Sequence, residues 1–525
     1  METIFETGVD EMNWDDTENY RMGGSYKWPV ISDVVEFRRK VRSVIRNVIE
    51  NATFHLPVTM DNPYWALFMG MEHERIHLET SSVLIRQLPI EMVRIPPKWN
   101  QSPVNHGNEV IQNEMVLVPE CEVILGKPFD FPSYGWDNEY PQIQSYVPEF
   151  EASKFLVTNG EYLEFISDGG YEKMELWSNE GWQWKLYRNA IHPTFWVCSK
   201  DCKSGCGGAL SSYSHCGNRK INGHDQVDEN ENIHHHSMYR LRTVCEEIKM
   251  PWLWPVEVNC HEAQAYCRWK GKGYRLLTEA EHNAIRDLRG DISAGTVTDP
   301  VFDHELHKRC NLNLAYCSST PVNHYPPNSK GFHDVFGNVW QWTEDHFNGF
   351  PGTKTSFLYD DFSTPCFDGK HNIIMGGSWI STGDEASRFA RYSFRRHFFQ
   401  HAGFRLARSR GSPNDIPLRL VKCCKGPMYE ISCQVDDLSS KFVESTNYQF
   451  RDDSEEALKK QLMIEYWPAG QNNFYSQLFQ LCQKYVKQFS IPARRALNIN
   501  TGCGRMTFEL CRDFSQLVPI FQNHF

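Results

Sequence analysis

Residues 115–410 limit the possible folds of this chain more than any other segment, because their apolar runs are short and soon interrupted. MVLVP and FLVTN are typical runs, and Gly, Pro, Asn and aromatic clusters separate them. Runs of this length suit short strands and helices that are joined by long loops. The sequence therefore predicts a compact α+β domain whose loops provide much of the surface for a functional site.

The first 95 residues differ, because their apolar residues recur at the spacing of an α-helix. A second helix should begin at Asn62–Pro63, since Asn caps free amides and Pro suits the first helical position. It should include WALFMGMEHERIHLETSSVLIRQL and end before Pro89. Two helices cannot bury two apolar faces, so residues 1–95 should belong to a bundle, followed by a Pro- and Asn-rich linker at 95–108. The stripe on the first helix consists of Val34, Val41, Val44, Ile45, Val48 and Ile49.

Three further segments complete the organisation of the chain. Residues 198–236 are rich in Cys, Gly, Ser and His, and they are expected to form a surface insertion, since their spacing matches no zinc finger. Residues 411–490 should connect the central domain to the C-terminal part. In residues 491–525, ALNINTGCGRMTFELCRDF predicts a strand, a glycine turn at Gly502 and Gly504, and a helix. A single GxG is a weak signal for a nucleotide site.

The charge and cysteine content exclude several classes of protein. A net charge of −12 argues against a nucleic-acid binder, which needs concentrated basic charge. No apolar stretch approaches the roughly 20 residues that cross a bilayer, and METIFETGVDEMNWDD does not have the pattern of a secretory signal. The 17 cysteines, in a chain without such a signal, favour reduced thiols and a cytoplasmic location.

The sequence EHERIHLE contains the most specific local signal for chemistry. His73 and His77 are four residues apart, so on a helix they lie about 40° apart and face the same way. Such a pair can bind one metal ion, but two histidines at this spacing also occur by chance, and the zinc-protease motif HExxH is incomplete. Glu79 lies about 240° from His73, so we expect it to pair with Arg75 and hold the helix in place. Imidazole suits several metals, so the metal stays open.

A second cluster, GGSWISTGDEASRFARYSFRRHFFQHAGFRLA at 376–407, combines arginines with aromatic residues. Its guanidinium groups can clamp substrate carboxylates, or they can form a lattice that ties loops to the core. The sequence leaves both interpretations open. The arginines are Arg391, Arg395, Arg396 and Arg405.

These motifs together resemble the 5-histidylcysteine sulfoxide synthases of the ovothiol pathway. GVDEMNWDD and MEHERIHLETSSVLIRQLP are similar to the iron-binding, DinB-like helical bundle of that family. PWLWPVEVNCHEAQAYCRW, RLLTEAEHNAIR, NLNLAYCSSTPV, FGNVWQWTEDHF and the cluster at 376–407 resemble its formylglycine-generating-enzyme-like (C-type-lectin-like) domain. The resemblance covers about residues 5–425. It implies a partial bundle at 1–95, the lectin-like domain at 115–410, and at 491–525 an incomplete, Rossmann-like start of an S-adenosylmethionine methyltransferase domain.

The resemblance also implies an activity. In this family a non-haem Fe(II) couples the sulfur of L-cysteine to C5 of L-histidine with O2, and the product is a sulfoxide. His73 and His77 would be two iron ligands, and Tyr359 would assist proton or electron transfer. Arg395 and its neighbour Arg396 would bind the carboxylate of the thiol substrate.

This sequence departs from the family at both ends. The third iron-binding histidine of the family lies in an earlier segment similar to YxGHTA, and His55, in a predicted inter-helix loop, is the nearest alternative here. The turn at Gly502 and Gly504 resembles the one that binds S-adenosylmethionine, but we expect no second strand before Phe525 and hence no methyl transfer. The chain is therefore expected to be shortened at both ends.

Two alternatives follow from these departures. The copper-dependent formylglycine-generating oxidases resemble this chain only in the central domain, and their two-cysteine site has no counterpart at 389–408, which contains no cysteine. We therefore reject that activity. A catalytically impaired chain that acts as a binding or regulatory module remains the alternative to a sulfoxide synthase.

Overall fold

The computed structural model describes most of the chain between residues 29 and 410. The described residues are 29–53, 55, 58–104, 111–198, 239–286, 300–301, 308–356, 358–359, 362–410 and 416–418, with positions 480 and 484 and the backbone of 495–499 and 516–520. Nearly all of the predicted insertion and most of the predicted connecting segment lie outside them.

Both predicted N-terminal helices are confirmed. They are α1 (Ile31–Asn51) and α2 (Trp65–Arg86). The predicted start at Asn62–Pro63 with Asn62 as the cap is wrong, because α2 begins at Trp65 and its N-cap residue, Tyr64, has no side-chain capping bond. Asn62 instead stabilises the turn before the helix, where its Oδ1 accepts from the amide of Tyr64 over 2.9 Å. None of the residues of α1 is buried against the described part of the chain. A bundle at 1–95 therefore stays a prediction.

The central domain has thirteen named strands among its described residues, most of them short as predicted. Four antiparallel strands form one sheet in the order β1-β4-β13-β8, and a second sheet has the order β11-β10-β9-β12. Strands β2 and β3 pair with each other, and β5, β6 and β7 form a third small sheet. The strands are β1 (Met115–Val118), β2 (Cys121–Leu125), β3 (Ile143–Val147), β4 (Phe150–Ser153), β5 (Trp196–Cys198), β6 (Tyr239–Arg242), β7 (Glu247–Lys249), β8 (Tyr274–Leu276), β9 (Trp340–His346), β10 (His371–Met375), β11 (Tyr392–Arg395), β12 (Ala402–Gly403) and β13 (Leu406–Ser409).

Three helices of this domain begin with a reciprocal cap. In α3 (Asn159–Ser167), α5 (Cys260–Lys270) and α6 (Glu279–Ala284), a Thr or Asn side chain accepts from the amide three residues later. The Glu at that later position accepts from the amide of the capping residue. A further helix, α4 (Asn179–Arg188), is capped by Ser178. Local chemistry thus fixes where these helices start.

The main core lies between α3, α5 and the second sheet. It is rich in large aromatic side chains, which explains why short elements suffice to bury a large apolar area. Its largest fully buried members include Trp196, Trp254, Trp340, Trp342, Tyr162 and Tyr266.

The C-terminal strand is confirmed, and one prediction about it is wrong. Strand β14 (Arg495–Ile499) occupies the predicted position, and a second strand, β15 (Gln516–Ile520), pairs with it in parallel. The chain therefore does contain another strand before Phe525. Gly502 and Gly504 lie outside the described residues.

Membrane crossing is not supported by the described helices, none of which is both long and apolar enough to span a bilayer.

The last turn of α2 is fixed to the central domain by a buried ion pair. Arg86 pairs with Glu257, and both side chains are almost inaccessible to solvent. His401 completes the cluster, since its Nδ1 lies 3.3 Å from Glu257 and its Nε2 lies 2.7 Å from Ser82 Oγ. Burial alone would raise the pKa of Glu257, but Arg86 and His401 outweigh it and lower that pKa to about 2.

Replacing Arg86 with Met should lower the free energy of unfolding by about 3–5 kcal/mol at pH 7, because the Glu257 carboxylate stays buried without its cation. The folded-state pKa of Glu257 is depressed, so its contribution exists above the unfolded pKa of about 4.3 and disappears as pH falls toward 2. Urea titrations at several pH values measure both effects.

The matched control is Arg408→Met, which breaks the half-exposed pair with Glu151. That change should cost at most about 1 kcal/mol. Equal losses for the two variants would contradict the assignment of Arg86 as an anchor.

Candidate functional site

The site is built on α2, whose buried face carries polar residues. Glu72, Glu79, Ser82 and Arg86 are buried on this helix. Their spacings of seven, three and four residues place them on one side of the helix. His73 lies one residue after Glu72 and His77 lies five residues after it. Both rings therefore point to one edge of the buried face.

Glu79 is the central contact between α2 and the loop-rich domain. Its Oε1 accepts from Trp340 Nε1 at 2.6 Å, Ser378 Oγ at 3.0 Å and Gln400 Nε2 at 3.2 Å. Its Oε2 accepts from Ser381 Oγ at 2.7 Å. Burial raises the pKa of this carboxyl, although His401 and these donors oppose the shift.

The expected pairing of Glu79 with Arg75 is therefore wrong. Arg75 instead pairs with Glu72, three residues before it on α2. The tertiary donors outweigh a helical ion pair, which contributes only about 0.2–0.5 kcal/mol. The second part of the expectation, that Glu79 holds the helix in place, agrees with its contacts.

The two histidines lie side by side. Their ring centroids are 4.5 Å apart and the ring planes make an angle of 61°. His73 is half-buried and His77 is exposed. Burial, and then the neighbouring His77, lower the pKa of His73, which favours the neutral ring that binds metals. Among the described residues, no hydrogen bond partner occupies either ring.

Tyr359 borders this pair. Its ring centroid lies 5.5 Å from that of His73, edge to face, and 5.4 Å from that of Phe362. Phe362 stacks on Trp136 with 3.8 Å between centroids. The sequence indicated Tyr359 only through the family resemblance, and the structure brings it to the histidine pair.

An aromatic wall, which the sequence did not reveal, continues from this point along α2. Tyr134 lies 5.3 Å from Trp136 and 4.5 Å from Trp65, again between ring centroids. The aromatic cluster GWDNEY was the available signal for this wall. A small apolar pocket opens beside it, lined by Val58, Trp65, Phe68, Pro132, Ser133 and Tyr134.

Behind the wall lies a buried acidic cluster. Lys127 Nζ is 3.7 Å from Glu139 and 3.8 Å from Asp384, and these side chains are nearly inaccessible. Burial, and then Asp384, raise the pKa of Glu139 well above its usual range. The amide of Asp384 donates to Glu72 on α2 over 2.8 Å, so this cluster also helps to seat the helix.

Gly383 shows how closely α2 approaches this loop. Its φ is +63°, and a Cβ at this position would collide with Arg75 and Glu72. Only glycine meets both requirements without strain.

The two predicted arginines, Arg395 and Arg396, lie at the end of β11. Arg396 is buried, and its guanidinium donates to Asn372 at 2.8 Å, Glu180 at 2.9 Å and the carbonyl of Gly369 at 2.6 Å. These bonds favour a positioning function over binding of a substrate carboxylate. Arg395 is half-buried and lies opposite His371 in the β10–β11 register.

The histidine pair fits part of a metal site. Two adjacent nitrogen donors that make no hydrogen bond to the described part of the chain suit Fe(II), and they also suit other metals that imidazole binds. Within the described ranges, no group of three or more His, Cys, Asp or Glu side chains is placed to share a metal ion. His55, the alternative third ligand, is exposed. The described donors therefore fit at most two positions of a metal site.

Comparison with known proteins agrees with the central fold. The family model of the sulfatase-modifying factor enzyme 1-like domain matches residues 101–410, which is more than half of the chain.

Two groups of curated relatives are similar to the chain. Hercynine oxygenase from Mycolicibacterium smegmatis is 27% identical over 66% of this chain and 72% of its own length. The hercynine oxygenase of Mycolicibacterium thermoresistibile is 26% identical over 70% of this chain and 74% of its own length. Ergothioneine biosynthesis protein 1 from Neurospora crassa is 22% identical over 77% of this chain and 50% of its own length.

Replacing Glu79 with Ala should lower the free energy of unfolding by about 3 kcal/mol or more, because several buried donors lose their acceptor. Urea denaturation followed by tryptophan fluorescence measures the loss. Glu74→Ala, at an exposed position on the same helix, is the control and should change stability by less than about 0.5 kcal/mol. If both variants behaved alike, Glu79 would not be the contact that holds α2.

Proposed function

Because this chain belongs to the family of sulfatase-modifying factor enzyme 1-like domains, we propose that it is a sulfoxide synthase that joins a thiol to an imidazole. The substrates are L-cysteine, L-histidine and O2, and the product is 5-histidylcysteine sulfoxide, a precursor of ovothiol. The similarity to hercynine oxygenases and to an ergothioneine biosynthesis protein supports the reaction class. The choice of cysteine and histidine rests on the family resemblance of the sequence.

The overall reaction balances without a further reductant. The thiol loses its S–H bond and C5 of histidine loses its C–H bond, while a C–S bond forms. One oxygen atom of O2 becomes the sulfoxide oxygen, and the other leaves as water with the two hydrogens. Four electrons pass to O2, two for the C–S bond and two for the oxidation of sulfur.

The observation that carries this proposal is the meeting of the histidine pair with Tyr359 at the junction of α2 and the loop-rich domain. We assign His73 and His77 to hold Fe(II). When bound, Fe(II) supplies the redox chemistry that allows O2 to react with closed-shell substrates. Tyr359 holds or transfers a proton at its Oη, and the neighbouring aromatic wall excludes water.

The proposal also assigns a substrate-binding residue and a location. Arg395 would supply positive charge for the substrate carboxylate. A cytoplasmic location agrees with Cys121, Cys245 and Cys317, which are free thiols.

A non-catalytic binding or regulatory module is the second candidate. It is favoured by one observation, the lack of a third metal ligand within the described residues. Equilibrium dialysis with Fe(II) separates the two candidates, since the enzyme should bind about one ion per chain and the module none.

The first test of the proposed function is a product assay. The chain with Fe(II), L-cysteine, L-histidine and O2 should yield the coupled sulfoxide, detected by mass spectrometry. The variants His73→Ala and His77→Ala should each lose at least about tenfold in rate and in Fe(II) affinity, because each removes a ligand. Glu74→Ala serves as the folded control. If the chain bound Fe(II) stoichiometrically but formed no sulfoxide, the proposed reaction would be rejected and the proposed metal site would still be supported.

Tyr359→Phe tests the proton-transfer role. The variant should lower kcat by about 10²-fold or more and leave KM within about twofold, because the ring stays and only the hydroxyl is lost. Tyr316→Phe, which removes the hydroxyl that contacts His324, is the control and should leave both constants unchanged. An unchanged kcat for Tyr359→Phe would remove this residue from the mechanism.

A further inference from the structure

The small apolar pocket beside the aromatic wall has the size of a site for one small molecule. Its cavity measures about 40 Å³, and its walls come from the loop before α2, the first turn of α2 and the loop that precedes Trp136. A single water needs roughly 10–15 Å³ on the same measure. The pocket therefore has room for a diatomic molecule but not for an amino acid. Its lining residues are Val58, Trp65, Phe68, Pro132, Ser133 and Tyr134.

The lining of this pocket favours an apolar guest over water. Among the lining residues only Ser133 and Tyr134 carry a hydroxyl, and Ser133 Oγ already donates to the carbonyl of Tyr134 over 3.3 Å. A buried water is held by roughly two to four polar partners, whereas a cavity with apolar walls stays dry and accepts apolar molecules. The side chains of Val58, Trp65 and Tyr134 are almost fully buried, so the pocket is part of the packed structure.

The pocket and the histidine pair border the same apolar cluster. Four of the lining residues belong to that cluster, and so does Tyr359, whose ring lies against His73. Met69 is a further member, and Trp65, Met69 and His73 follow one another at intervals of four residues, so they form one ridge along α2. At a rise of 1.5 Å per residue, the pocket end of this ridge lies about 12 Å along the helix from His73. An apolar molecule can cover this distance without leaving apolar surroundings.

We propose that this pocket binds O2 and supplies it to the histidine pair through the apolar cluster. The inference rests on the proposed function and deepens it, because it locates one of the three substrates. O2 has neither charge nor dipole, so it leaves water readily for an apolar cavity. L-Cysteine and L-histidine are zwitterions, and their charged groups would lose their hydration in the same cavity. O2 therefore reaches the histidines from the side of the pocket, and the amino acids reach them by a different, polar entrance.

The first test measures where O2 collects in the full chain without added metal. Valine and methionine methyl groups carry ¹³C, and their proton relaxation rates are compared under O2 and under N2, because paramagnetic O2 accelerates the relaxation of nearby protons. The gain at Val58 should exceed that at Val44 by about fourfold, the factor that corresponds to burying one methylene-sized apolar group. Val44 is the internal control, since it is 65% exposed and meets only the O2 dissolved in water. A gain at Val58 that is equal or smaller would overturn the proposal, and this comparison needs no variant to fold.

The same spectra test the connection between the pocket and the histidines. Met69 lies between them on α2, so its methyl group should also gain more relaxation from O2 than that of Met92, which is 71% exposed. The variants Val58→Ile and Met69→Leu identify the two resonances by removing them. A gain at Val58 without one at Met69 would overturn the route from the pocket to the histidines.

Val58→Phe tests the consequence for turnover, because the added ring fills the cavity. In the sulfoxide assay this variant should raise KM for O2 at least about threefold and leave KM for L-cysteine within about twofold, since the amino acid does not pass through the pocket. Val44→Phe makes the same substitution at an exposed valine and should change neither constant, and near-UV circular dichroism checks the folding of both variants. An unchanged KM for O2 in folded Val58→Phe would overturn the proposal. A chain that forms no sulfoxide but shows the relaxation gain at Val58 would reject the proposed function and support the O2 site.

Discussion

The burial of the Glu79 carboxylate determines how the two parts of the described chain fit together. Removing a carboxylate from water costs several kcal/mol unless its oxygens find good partners. Glu79 finds them only on the loop-rich domain, where an indole, two serine hydroxyls and an amide converge. Because the side chain is fixed in this way, the rotation of α2 about its axis is fixed as well. The direction of His73 and His77 follows from that rotation.

Buried polar contacts also fix α2 near both of its ends. Arg86 closes its C-terminal end against Glu257, and Glu72 meets the amide of Asp384 nearer its N-terminal end. Three polar contacts, spaced along one face, bind α2 far more specifically than an apolar stripe would. An apolar contact tolerates small shifts, whereas a buried charge with defined partners does not. The geometry of the site beside the helix is therefore determined by contacts that take no part in chemistry.

The sequence predicted what local rules control. The end of α2 before Pro89 follows from local signals, although its start at Trp65 lies beyond the predicted cap, and the facing of His73 and His77 follows from helical spacing. The partners of Glu79 could not be predicted from the sequence, because they lie some 260 to 320 residues further along the chain and no periodicity connects them to Glu79. The aromatic wall was missed for the same reason.

Strand β15 shows a different limit of sequence reasoning. Pro519 lies within it, and proline is usually evidence against a strand because it cannot donate to the ladder. The roles of Tyr359 and Arg395 rested on resemblance, since nothing in their local sequence points to chemistry. For Arg396 the environment, and not the residue type, decides between a clamp and a support.

The order β1-β4-β13 has a mechanical consequence. The first and last strands of the central domain flank β4, and both run antiparallel to it, so they run parallel to each other. A force that pulls the two ends of the domain apart would act along these strands and load their hydrogen bonds together, as in shear. Strand pairs whose hydrogen bonds break one at a time separate under a lower force. The domain should therefore resist extension through its ends, because β4 shares the load with the strands on both sides of it.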